Sequence, residues 1–141
     1  MLRDDAYRER YQQARAKCLE ALAVKFLERL LPGATVGRNL FYPTPDGSLA
    51  ETDALLLFDR YLFIIEAKAG GMRPSARRGA PLALKEAFGR IIEEAFVQSG
   101  RVREYILSRG EAIFTDKSGE PAFVVKKSEI DEVFFVNPTL P

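Results

Sequence analysis

The stretch 51-ETDALLLFDRYLFIIEAK-68 decides how this chain is read. Its two apolar blocks, either side of Asp59-Arg60, are of strand length and rich in branched and aromatic residues, so they read as two buried strands of a hairpin. With Asp59-Arg60 as the turn, Phe58 faces Tyr61 and, counting outward, Asp53 faces Glu66. Side chains alternate along a strand, which puts Lys68 on the side of Glu66 and Glu51 on the side of Asp53. Opposed residues have Cβ atoms roughly 4.5–5.5 Å apart, and like charges placed that way repel. A divalent cation relieves the repulsion. Mg²⁺ is held through one or two carboxylates together with water and phosphate oxygens, and it needs no imidazole. The plainer alternative is that these charges mark where buried strands meet water, with Lys68 neutralising Glu66.

Outward from the hairpin, 34-ATVGRNLFY-42 reads as a preceding strand, followed by the turn cluster 43-PTPDGS-48. Residues from about Asp5 to Leu31 have helical spacing, with Leu19, Leu22, Ala23, Phe26 and Leu30 on one face, and Pro32-Gly33 ends the helix. Downstream, 70-GGMRPSARRGAP-81 has no periodicity and reads as a loop, and a long helix runs from about Leu82 to Ser108. Then 111-EAIFTDKSGEPAFVVKK-127 reads as a hairpin turning at DKSGEP, and 131-DEVFFVNP-138 as a short last strand halted by Pro138. The order is helix, three strands, helix, strands: an α/β domain spanning 1–141 with its core at about 16–137. A strand so close to the C-terminus is expected in a piece of a longer protein.

With 141 residues the chain fits a single domain whose core needs no disulfide. Its 21 basic and 20 acidic residues nearly cancel, so contact with a polyanion must come from a local patch. Cys18, the only cysteine, excludes a disulfide framework, suits a reducing compartment and reads as a small core residue within the helix. No apolar run approaches a membrane span and the N-terminus is too polar for a signal peptide, so a cytoplasmic protein without a membrane partner is expected. The chain has no histidine. That excludes imidazole bases, Ser-His-Asp triads and His-based zinc sites, and leaves carboxylates, Lys, Arg, Tyr or an oxygen-held metal.

Two helical positions break their own pattern. Glu20 shares a row with Val24, Leu27 and Leu31, so an acid heads an apolar stripe. On the second helix Leu84, Phe88, Ile91, Ala95, Val102 and Ile106 form a stripe interrupted by Gln98. Buried polar groups need partners, and these either bond nearby backbone or close on a common site with the hairpin acids.

Glu20 on a first helix, Asp53 in "ETD", Glu66 and Lys68 in "IIEAK" and Gln98 in "FVQSGRVREYI" together resemble the PD-(D/E)xK nuclease superfamily, and within it the nuclease-related domains. The resemblance covers roughly residues 16 to 108; Thr52 stands where the superfamily often has proline. It implies a restriction-endonuclease-like core (αβββαβ), a mixed central sheet flanked by helices, and Mg²⁺- or Mn²⁺-dependent hydrolysis of phosphodiesters. In that chemistry Asp53 and Glu66 would bind the metal, with Glu20 as an outer ligand through water and Glu51 in reserve. Lys68 would orient or deprotonate the attacking water or stabilise the negative charge of the phosphorane, and Gln98 would position water or a phosphate oxygen.

Between the Glu-x-Lys strand and the second helix, Arg73, Arg77, Arg78 and Lys85 face no acids in 70-GGMRPSARRGAPLALK-85. They are expected to grip a nucleic-acid backbone, DNA ahead of RNA, the alternative being a solvated loop. No Gly-Lys-Ser/Thr follows the glycines, which excludes a P-loop. A catalytically silent nucleic-acid-binding module and a protein-interaction domain are the competing readings. The oligomeric state is left open, a homodimer included.

Overall fold

In the computed structural model, which describes residues 2–69 and 78–140, the chain forms α1 (Leu2–Leu30), β1 (Thr35–Pro43), β2 (Leu49–Phe58), β3 (Tyr61–Ile65) and β4 (Lys68–Ala69). These are followed by α2 (Pro81–Leu107), β5 (Glu111–Thr115), β6 (Pro121–Lys126), a 3₁₀ turn at Lys127–Glu129, β7 (Glu132–Val136) and β8 (Thr139–Leu140). Six strands make one mixed sheet in the order β6-β5-β1-β2-β3-β7, antiparallel except that β3 and β7 run parallel; β4 and β8 form a separate parallel pair. The expected order of helix, three strands, helix, strands is found with two short unexpected strands, β4 and β8, added, and the architecture is α/β.

The helices lie on opposite faces of this sheet. Leu55, Leu62 and Ile64 pack with Val102 and Ile106 of α2, whereas Ala54, Leu56 and Ile65 pack with Val24 of α1. Strands covered on both faces need apolar residues at successive positions, which is why β2 and β3 read as unbroken apolar runs rather than alternating ones. Among the described residues no helix is long and apolar enough to cross a membrane.

α1 meets the sheet through a different face from the one its larger apolar residues suggest. Val24 is fully buried and Leu27 and Leu31 are half-buried, while Leu22, Phe26 and Leu30 are about 60% exposed. The buried row is the one headed by Glu20. Cys18 is likewise exposed rather than in the core. Helical spacing alone fits two adjacent rows here, and the narrower Val24–Leu27–Leu31 row packs against the branched residues of β2 and β3.

A change of face within β1 and β2 sets up everything that follows. A Cβ added at Gly37 would lie 2.8 Å from Leu40 Cδ1, so positions 37 and 40 point to the same side although they differ by an odd number. The strand turns over between them at Asn39, which has a φ of 49°, a left-handed conformation that Asn tolerates. β2 turns over at the same level: Thr52 pairs with Leu40, and Ala54 with Arg38, while Asn39 and Asp53 between them form no ladder pair. Beyond the turn-over Leu40 and Tyr42 join the α2-side core, as do Leu55 and Leu62 before it.

Gly37 is required where it stands, because the same added Cβ would lie 2.7 Å from Cδ2 and 3.2 Å from Cγ of the buried Phe123 ring. Gly37→Ala is therefore expected to cost about 1–3 kcal/mol, read as a lower denaturation midpoint at unchanged m-value. An unchanged midpoint would show that the ring can retreat.

Candidate active site

The hairpin register is the one counted from the sequence as far as it runs: Phe58↔Tyr61, Leu57↔Leu62, Leu56↔Phe63, Leu55↔Ile64 and Ala54↔Ile65. Asp59 has a φ of 53°, and a short polar side chain makes that conformation accessible in a two-residue turn. The ladder stops one rung before the acids, where β2 turns over. Thr52, not Asp53, therefore takes the position facing Glu66, and its Oγ1 donates to Glu66 Oε1 at 2.8 Å. Asp53 sits with Glu51 on the α1 side, and its Oδ2 accepts from the backbone N–H of Ala67 at 2.8 Å. The two acids still converge, through the Glu66–Lys68 segment that leaves β3.

Their electrostatics follow from burial. Glu66 is 3% exposed, and desolvation, then the charge of Asp53, push its carboxyl up to about 8; Thr52 and Lys68 only partly oppose this. Asp53 is also raised, by desolvation, against the lowering effects of the Ala67 N–H, the Lys68 ammonium and a hydrogen bond with Glu66. Burial and mutual repulsion together disfavour joint ionisation of the pair. Glu20, half-buried on α1, is pushed up to about 7 by desolvation and then by Asp53 and Glu51, while Arg38 and Lys17 act the other way. Asp53 thus acts on both Glu20 and Glu66, and the Lys68 ammonium lowers both Asp53 and Glu66.

Other sequence expectations are distributed differently. Gln98 is half-buried and lines a recess of about 390 Å³ with Arg90, Glu93, Glu94, Val97 and Arg101. Among the described residues no hydrogen bond joins it to Asp53, Glu66 or Lys68. The polar interruption of the α2 stripe is instead Ser99, fully buried in the series Ala87, Ile91, Ala95, Ser99, Val102, Ile106. Arg78 and Lys85 are exposed ahead of and within the first turns of α2, and Arg73 and Arg77 lie outside the described residues.

Sequence reasoning missed Thr52, Tyr42, Ser99 and Asn137. Tyr42 is buried in the α2-side core, where desolvation first, and then Glu66, raise its hydroxyl and Arg101 lowers it. The signal for Thr52 was a β-branched hydroxyl next to Asp53; for Asn137 it was a polar residue between a strand and Pro138. A hollow of about 770 Å³ between the β1–β2 turn and the end of α2 lies beyond Tyr42 and is lined by Arg101, Tyr105 and Arg109 among others. Glu20, Asp53 and Glu66 are not among its lining residues.

Among the described residues no group of three or more Cys, Asp or Glu side chains is gathered so as to hold a metal ion. The pair Asp53 and Glu66 nevertheless has the chemistry of a hard-cation site. Thr52 and Ala67 each engage one carboxylate oxygen, and the two carboxylates, which also bond each other, would together hold a hard cation once deprotonated. Comparison of the chain with protein-family models, with curated proteins and with solved structures finds no match.

Proposed function

We propose that this chain is a metal-dependent nuclease with a restriction-endonuclease-like core, hydrolysing phosphodiester bonds in nucleic acid, DNA ahead of RNA. The observation that carries the proposal is the convergence of Asp53 and Glu66 with Lys68 where β2 and β3 part. Burying two carboxylates against each other costs stability that no fold requires, and such a cost is retained where it serves binding or catalysis.

Mg²⁺ or Mn²⁺, when bound, would supply charge stabilisation at the phosphate and a more acidic water. Asp53 and Glu66 would hold it, with Glu20 as an outer acid able to accept a proton from solvent near neutral pH. Lys68 orients the attacking water or takes its proton, being the cation that already acts on both acids. Arg78 and Lys85, exposed near the start of α2, would contact the backbone of the substrate. An exposed, unpaired Cys18 fits a cytoplasmic setting.

A second reading, a protein-interaction module that keeps the fold without activity, is favoured by the exposed Leu22, Phe26 and Leu30 of α1. The two separate on incubation of the protein with DNA and RNA in Mg²⁺, Mn²⁺ or EDTA. The nuclease reading expects cleavage that EDTA abolishes. It expects Asp53→Asn, which keeps an acceptor for the Ala67 N–H, to lose more than the roughly 10–100-fold typical of an outer-shell change. Cleavage that persists in EDTA, or no cleavage of either polymer in either metal, overturns it.

A further inference from the structure

We infer that Asn137 is a substrate-contacting residue of this site, its Nδ2 amide set as a hydrogen-bond donor to a phosphodiester oxygen by the buried hydroxyl of Ser99. This rests on the nuclease reading and adds to it a residue and a role.

The placement follows from register. β3 and β7 pair Ile65↔Val136, β4 and β8 pair Lys68↔Thr139, and the offset is the same across the gap between them. Within that gap the Glu66 N–H donates to Val136 O at 3.1 Å and the Lys68 N–H to Pro138 O at 2.9 Å. The two separate parallel pairs thus share one register, which sets Glu66 against Asn137. Paired strands lie about 4.8 Å apart and present partnered side chains on the same face. Glu66 follows Ile64 and Leu62, which face α2, and Asn137 faces α2 as well because it is bonded to Ser99. Glu66 is flanked by Thr52 on one side and by Asn137 on the other.

Ser99 fixes the amide. Fully buried on α2, it donates through Oγ to Asn137 Oδ1 at 3.1 Å. The acceptor end of the amide is thereby engaged and Nδ2 remains as the donor end. Among the described residues no hydrogen bond is made by Nδ2, and it is not a buried unsatisfied atom, since Gln12 Oε1 is the one side-chain atom of that kind. The shared register of β3–β7 and β4–β8 puts this donor end beside Glu66. A neutral donor there neither ion-pairs with the acids nor competes for a cation, yet it can bond an anionic oxygen brought between them. Donors fixed before the reaction lose little in reorganisation, and removing one such donor lowers turnover by about 10²–10³-fold in well-defined cases.

The test uses the full chain and an oligonucleotide carrying one phosphorothioate linkage of defined Rp or Sp configuration, with cleavage followed at that linkage. Asn137→Ala is expected to cut the all-oxygen substrate at least about tenfold more slowly than wild type at saturating Mg²⁺. It should also change the Rp/Sp rate ratio, because sulfur at the contacted oxygen no longer disturbs a bond. Ser99→Ala should shift the ratio in the same direction and by less. Asn137→Asp, the same shape without the donor, carries the readout if the alanine variant does not fold. Wild-type rate in the Asn137 variants, or slower cleavage with an unchanged Rp/Sp ratio, overturns this inference and leaves the nuclease reading standing. No cleavage by wild type overturns both.

Discussion

At pH 9 with chelator present, Glu66→Gln protein is expected to melt on the order of 10 °C above wild type while being inactive with Mg²⁺ restored. The sign follows from the direction of the shift. The Glu66 carboxyl is raised from an ordinary 4.5 to about 8 in the folded chain, chiefly by desolvation and then by Asp53. Between those values the folded chain holds a proton that the unfolded chain has released, so stability falls as pH rises through that window. Below about 4.5 the group is protonated in both states and the penalty is absent. Glutamine mimics the protonated acid and keeps an oxygen for the Thr52 hydroxyl, so the two proteins should melt together at pH 4.5 and diverge above it. Glu20, raised to about 7, adds a slope of the same sign in wild type and variant alike. Divalent metal should raise the melting temperature of wild type most at the alkaline end and leave Glu66→Gln nearly unmoved. Thermal melts from pH 4.5 to 9, with and without Mn²⁺, read both effects. Parallel wild-type and variant curves would mean that the pair carries no frustrated charge.

The sequence exposed the hairpin because nothing in it depended on long-range contacts. Burial on both faces made β2 and β3 continuous apolar runs, and Asp59-Arg60 left one short turn between them. Glu20 was legible for a related reason: an acid heading an apolar row is an anomaly that periodicity can register. What could not be read was the turn-over at Asn39 and Asp53. Strict alternation places Asp53 against Glu66, whereas the chain presents Thr52 there and brings Asp53 in from the α1 side. The local signs were a glycine and an asparagine in 34-ATVGRNLFY-42, residues that loops and strands both use. Their meaning comes from Phe123, which occupies the space a Cβ at Gly37 would need. Helical spacing points to Gln98 as the interruption of the stripe, glutamine being the more conspicuous polar residue there. The helix buries the shorter Ser99, since a hydroxyl in a stripe of Ala95 and Val102 displaces no apolar neighbour and reaches one partner, Asn137. Asn137 itself was hidden by a parallel pairing to a strand more than sixty residues away in sequence, which local pattern does not encode.

Lys68→Ala is expected to reduce cleavage by about 10²–10⁴-fold while leaving divalent-metal binding measurable, the range set by loss of a positioned proton-transfer group. Its ammonium lowers both Asp53 and Glu66, so its removal leaves the pair with less compensation for burial. Two consequences then point in different directions. The acids should hold their proton to higher pH, so metal binding, which displaces that proton, should weaken most near neutral pH and recover toward pH 9. Cleavage should not recover with it, because a saturated metal site still lacks the group that orders or deprotonates water. A lysine whose task was only to neutralise the acids would show the opposite: once alkaline pH and excess Mn²⁺ restored occupancy, the rate would return to within a few-fold of wild type. Lys68→Arg sharpens the distinction, since guanidinium keeps the charge beside the carboxylates but stays protonated throughout this pH range. If Lys68 only balances charge, the arginine variant cleaves well; if it takes a proton from water, arginine restores the metal affinity and leaves the rate depressed. Rates at saturating Mn²⁺ for the three proteins, paired with the metal dependence of their melting temperatures, assign the lysine to one task or the other.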